Sequence, residues 1–267
     1  MKINILDPYS LSGSLSKEQK TTLFAPKVVT VTTLENAAEE GITKYRDDNK
    51  DGYVDLPTNH KLSEFFNYGE LIHSDNAVKF KLENRVPISR TDILDSAIYT
   101  GTNLLDKLRV QFGSFVPNSW YRGPEVEYAA TYRDGFVKYI NKSYSRTQTG
   151  EPTAAELVST VTNTMFLRDL VSRANAGSRT CGLILNLWNN YYKGKQHPNG
   201  EAVDFEIPGS KGNKALWDWI KSSGLKYDQL ILEFHNPQTG PFSGWVHGSV
   251  IDEQVKGRKN RMSAFTI

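Results

Sequence analysis

The sequence is poor in cysteine, in long apolar runs and in net charge. Cys181 is the single cysteine among 267 residues, so no intrachain disulfide can form and the redox compartment stays open. No stretch approaches the roughly 20 apolar residues of a membrane span. Residues 1–15 contain no apolar run of signal-peptide length. We therefore expect no membrane span and synthesis in a cytoplasm, with exit by lysis or inside a larger particle. The formal net charge of +2 is too small to argue for nucleic acid as a partner, although a local basic patch remains compatible with it. Internal repeats and low-complexity tracts are absent as well.

The composition, 38% hydrophobic and 23% charged, is that of an ordinary folded domain. Segments 2–6 and 27–33 read as strands, the second Val/Thr-rich. A helix N-capped by Thr33 is expected to about Tyr45, and short helices over 61–71. Residues 92–112 carry apolar side chains at helical spacing, which predicts a helix pair broken near Gly101. Helices are also expected over 126–140 and 154–173, and 183–192 is apolar enough to be buried. From Gly200 the pattern changes: strands over 202–207, 227–234 and 244–251, the last being the final strand, and a helix over 214–222. Helices first and a small antiparallel sheet late is an α+β order. The expected organisation is an N-terminal accessory region over 1–58 and a second domain over 59–267, with an insertion at about 131–191.

Within the late sheet, alternation puts Val203, Phe205 and Ile207 on an apolar face and Asp204 on the other, toward a cleft or solvent. The turn Pro198-Asn199-Gly200 can fold His197 back toward Asp204. Segments 228–234 and 244–250 flank a Pro/Gly-rich connection and read as a long-looped hairpin, with Glu233 opposite or diagonal to His247. A catalytic zinc takes three N/O ligands, leaves a position for water and has a base nearby. His197, Asp204 and His247 can be the ligands and Glu233 the base. A lone histidine in a strand is more often a hydrogen-bonded structural residue, and His235 competes as a ligand. His60 and His73 have no distinguishing context.

Several motifs raise the metal reading. His197-Pro-Asn-Gly200-Glu-Ala202-Val-Asp204 resembles the His-x-x-Gly-x-Ala-x-Asp signature of the zinc D-Ala-D-Ala carboxypeptidase and L-alanyl-D-glutamate endopeptidase family. Tyr227-Asp-Gln-Leu-Ile-Leu-Glu233 with Gly244-Trp-Val-His247-Gly-Ser249 is similar to the second half of that pattern in its phage and bacterial subgroup. Ser119-Trp-Tyr121-Arg122-Gly-Pro124 resembles an upstream Ser-Gly-Tyr-Arg-Ser-Pro motif, Leu62 to Leu71 the start of the subgroup's domain, and Asn260-Arg261 a short motif near its end. The resemblance spans about residues 60–267. It implies a small antiparallel sheet flanked by helices, as in the hedgehog signalling domain, with zinc on His197, Asp204 and His247. It further implies Arg122, with Tyr121 beside it, for a substrate carboxylate or oxyanion. The implied function is cleavage of peptidoglycan stem peptides by a phage lysin, either a free endolysin or a component of the virion tail or baseplate.

The departures are specific. Lys195 stands where relatives often have Ser, Gly123 where they have Ser, and Glu127 where they have Asn. Gly244 occupies the position of the usual catalytic Glu, which moves the base to Glu233 or leaves that role vacant. The alternatives are a structural tail component that keeps the zinc fold, or a carboxypeptidase trimming terminal D-alanine. Separately, Asp47, Asn49, Asp51, the Tyr53 carbonyl and Asp55 match the first nine positions of an EF-hand loop and make a candidate calcium site. Thr58 stands where the bidentate Glu of position 12 belongs, so an ordinary acidic turn is the competing reading.

Overall fold

The computed structural model describes residues 45–130, 134–145 and 150–267. The strands and helix expected before residue 45 lie outside them. The chain divides into two units. Among the described residues, one takes in 45–55, 87–89, 123–130, 134–145 and 150–195, and the other 56–86, 90–122 and 196–267.

The second unit holds a four-stranded sheet in the order β1-β3-β2-β4, formed by Ala202–Phe205 (β1), Gln229–Glu233 (β2), Trp245–Ser249 (β3) and Ser263–Thr266 (β4). Pairing of β1 and β2 with β3 is antiparallel. The register places Asp204 opposite His247 and Ile231 opposite His247, with Glu233 opposite Trp245. Asp204, His247, Ile231, Glu233 and Trp245 therefore share one face. Val203, Phe205, Leu230, Leu232 and Val246 take the other and are buried. Each such side chain contributes about 1.5–3 kcal/mol by leaving water. Trp217 of helix Asn213–Ser222 donates its indole N–H to the Leu230 carbonyl at 3.2 Å.

Two expectations about the sheet are corrected. The sheet is mixed rather than antiparallel, because β4 runs parallel to β2. The segment 244–251 is accordingly not the last strand. Ser263-Ala-Phe-Thr266 offers little alternation, and its docking depends on an ion cluster just before it. Arg258 and Arg261 both grip the fully buried carboxylate of Asp228, at 2.7 and 2.8 Å. Burial opposes ionisation there, but hydrogen bonds from Arg258 and Arg261 win and bring the carboxyl down to about 2. A lowered folded-state value means stabilisation that is present above the ordinary 3.8 and lost as pH falls toward about 2. Chemical denaturation should show the midpoint dropping across that window. Asp228→Asn should start from a lower midpoint at neutral pH and lose less of it on acidification.

Helix Asp92–Thr100 does not break at Gly101. It continues through a π-turn, Gly101–Leu105, into helix Asp106–Phe112. A Cβ on Gly101 would stand 3.0 Å from Ser63 Cβ and 3.4 Å from the Trp120 ring. The glycine therefore serves close packing rather than termination.

The first unit is helical where it is described after residue 123: Pro124–Ala130, Asp134–Ser143, Ala154–Thr162, Leu167–Asn175 and Arg179–Lys193. Its apolar core includes Tyr128, Phe136, Ile140, Leu170, Ile184 and Trp188. The single helix expected over 154–173 is two. Thr160, Thr162 and Asn163 turn their side chains back onto carbonyls of the preceding turn, which favours ending a helix. The carboxylate of Glu125 then accepts from the backbone N–H groups of Leu167 and Arg168, at 3.1 and 2.5 Å, satisfying the first turn of the next helix.

Candidate metal centre

The turn after residue 196 is one turn of 3-10 helix, His197–Asn199, closed by Gly200 with φ of 70°. The Gly200 carbonyl accepts from Thr100 Oγ1 at 3.1 Å and from Trp120 Nε1 at 3.2 Å. A Cβ at Gly200 would lie 2.6 Å from the Ile93 carbonyl oxygen. Gly200→Ala should therefore lower the thermal midpoint by several degrees, about 1–3 kcal/mol, and weaken metal uptake, since the same turn aims His197. Calorimetry with and without metal checks both effects.

His197, Asp204 and His247 converge, all buried, with one ligand atom from each within 4.8 Å of the others. His247 Nδ1 is 2.9 Å from Asp204 Oδ1, His197 Nε2 is 3.3 Å from the same oxygen, and the two ring nitrogens are 3.2 Å apart. Atoms held tetrahedrally at about 2.0–2.1 Å from zinc stand roughly 3.3 Å from one another. The triangle thus has the edge length of a zinc coordination face.

Proton placement supports the same conclusion. His197 Nδ1 lies 2.7 Å from the Trp120 carbonyl, which only accepts, so Nδ1 carries the proton and Nε2 turns a lone pair inward. His247 Nδ1 lies 2.9 Å from Asp204 Oδ1 and Nε2 faces Gln196 Oε1 at 3.4 Å, so with the proton on Nε2 the ring presents a lone pair from Nδ1. With the Asp204 oxygen, three acceptors point at one another. A cation placed among them satisfies all three at once. The residues present could hold a metal ion.

Arg122 braces the third ligand. Its guanidinium pairs with Asp204 Oδ2 and donates from Nε to Ser119 Oγ at 2.9 Å. Ser119 also bridges to Asp204 through the backbone, with the Asp204 N–H donating to the Ser119 carbonyl at 2.8 Å. Burial alone would raise the carboxyl of Asp204. Against that, positive charge beside it, from His197 when that ring is protonated and from Arg122 in either case, holds the group well below the ordinary carboxylate range. Burial and the charge of Arg122 push His197 down against the pull of Asp204, favouring the neutral imidazole that ligates. For Glu233 the balance is reversed. Burial, helped by the charge of Asp204, raises its carboxyl, with His247 and Arg122 opposing.

Gly244 has φ of 68°, and a Cβ there would fall on the Glu233 carbonyl oxygen. The backbone leaves no room for a side chain at 244, so the acidic group on this face comes from Glu233. Tyr121 is buried at 1%, and its carbonyl accepts from Asn84. His235 pairs with the Ser243 carbonyl at 3.1 Å and His73 with Asp75 at 3.3 Å, and neither joins the cluster.

In the acidic loop, Asp47 accepts from the backbone N–H groups of Asp51 and Gly52, and Asp55 accepts from Asn49. Asp51 accepts from the Tyr53 N–H. Among the described residues, a convergence of three His, Cys, Asp or Glu ligand atoms occurs only at His197, Asp204 and His247.

Sequence reasoning missed Gln196 and the Trp120 carbonyl. Gln196 precedes the first histidine and could have been singled out, whereas a backbone carbonyl leaves no side-chain signature. Compared with known proteins, the chain matches no family, no curated protein and no solved structure.

Proposed function

We propose that the chain is a zinc-dependent peptidase acting on peptidoglycan stem peptides. The observation that carries this reading is the buried convergence of His197, Asp204 and His247, with Glu233, a carboxyl raised by burial, on the same sheet face. The motifs around His197, Asp204 and His247 supply the substrate class by resemblance. His197, Asp204 and His247 would hold the metal, and a zinc ion there supplies Lewis acidity and eases deprotonation of an attacking water. Glu233 takes that proton and returns it to the leaving amine, work that a raised carboxyl pKa suits near neutral pH. Arg122 fixes the orientation and charge of Asp204, and its guanidinium, beside that ligand, is the group we propose for a substrate carboxylate. The biological setting we propose is a phage lysin, released at lysis or carried on the tail or baseplate.

Digestion of purified peptidoglycan, read by mass spectrometry of the products, tests the proposal. New stem-peptide termini should appear with zinc and vanish with a chelator. A second reading has its own support. Gly244 cannot carry the usual base, and Arg122 is already engaged by Asp204. A tail component that retains the metal without hydrolysis would bind zinc and leave peptidoglycan uncut across metals and pH.

A further inference from the structure

We propose that Gln196 is a positioning residue that presents His247 to the metal, and that Asp228 holds Gln196 in that role. The inference rests on the metal reading above and extends it outward by two residues. The Gln196 amide bridges two groups: its Nε2 donates to Asp228 Oδ2 at 2.8 Å, and its Oε1 faces His247 Nε2 at 3.4 Å.

The direction of this bridge follows from Asp228. Its carboxylate is fully buried and receives hydrogen bonds from Arg258, from the Arg261 guanidinium and from the Arg261 backbone N–H. A carboxylate so surrounded stays ionised and can only accept. The amide nitrogen of Gln196 must therefore point to Asp228, and its oxygen to His247. That oxygen is an acceptor, so it draws the proton of a neutral His247 to Nε2 against the Asp204 carboxylate 2.9 Å from Nδ1, and Nδ1 is left free to ligate. His197 is set the same way by the Trp120 carbonyl. The two histidines use opposite ring nitrogens, and each has its own acceptor. Groups of this kind, behind the ligands, govern metal affinity by about 10- to 100-fold.

The arrangement ties the metal to residues 258–261, which fasten β4 to the sheet. Its consequence is that a neutral, exchangeable-looking glutamine carries weight in zinc binding.

The test is Gln196→Met, which keeps length and removes both polar atoms. Zinc affinity is measured by competition with a chromogenic chelator. In metal-free protein, nitrogen-15 imidazole spectra at mildly alkaline pH report which nitrogen of His247 carries the proton. We expect wild-type His247 protonated on Nε2. In Gln196→Met the proton should shift toward Nδ1 and zinc affinity should fall 10- to 100-fold, with the metal-free thermal midpoint nearly unchanged. Wild-type His247 protonated on Nδ1 would overturn the proposal without any variant. Unchanged affinity in Gln196→Met would overturn it too, while leaving the metal reading intact. Failure of wild-type protein to take up zinc would remove the metal reading and this inference together.

Discussion

Replacing His247 by alanine is expected to bring zinc uptake below one per chain. The expected wild-type value is one zinc per chain by elemental analysis after gel filtration. Site free energies of about 10–16 kcal/mol are typical of tight protein zinc sites. Divided over four positions, one ligand is worth roughly 2.5–4 kcal/mol, a loss of about 60- to 700-fold in affinity. The stability effect should change sign with metal. With zinc in excess, wild type gains stability by mass action and the variant does not, so the variant melts lower. With a chelator present, wild type holds three buried acceptors turned on one another within 2.9 to 3.3 Å. Removing one relieves that conflict, so the variant should melt no lower than wild type. A variant that melts lower by the same amount in both conditions would mean that His247 is an ordinary structural histidine.

The second large effect concerns Glu233→Gln. Peptidoglycan hydrolysis should fall by about 10²–10⁴, the usual worth of a positioned acid–base group, while zinc content stays at one per chain. The raised carboxyl of Glu233 gives the pH sign. The group is neutral below its shifted value, so activity should rise with pH as it ionises, and Glu233→Gln should lose that limb. The shift also bears on stability. A raised folded-state value contributes stability that is present below the unfolded value and lost as pH rises through the folded one. The variant, permanently neutral, should keep it. Retained hydrolysis in Glu233→Gln would remove the base assignment, and with Gly244 unable to carry a side chain, no other acidic residue on β2 or β3 could take the role.

How far the site was legible depended on the kind of signal. Asp204, His247 and Glu233 were placed on one face by strand alternation and hairpin length, because a period of two leaves little freedom once the apolar face is known. His197 followed from Pro198-Asn199-Gly200, whose turn chemistry is local. The split of 154–173 into two helices was hidden because its cause, the Glu125 carboxylate, lies outside the segment. The parallel docking of β4 was hidden for a similar reason: it depends on Asp228, Arg258 and Arg261 rather than on residues 263–266 themselves. The π-turn at Gly101 has no sequence signature of its own, because glycine marks close approach as readily as it marks an end. The engagement of Arg122 by Asp204 joins residues 82 apart in sequence, which no local pattern reports.

That separation has a kinetic meaning. The sheet unit is drawn from three stretches of chain, 56–86, 90–122 and 196–267. His197 reaches the Trp120 carbonyl across 77 positions and His247 reaches Asp204 across 43. Such long closures delay assembly, because their entropy must be overcome before any contact rewards it. The individual helices of the other unit form from local backbone contacts and should appear earlier. On the ribosome, none of the metal face can be complete until residue 247 has emerged, and its bracing waits for Arg258 and Arg261. In refolding experiments zinc capture should therefore trail the recovery of helical signal, and so mark the last step of folding rather than its start.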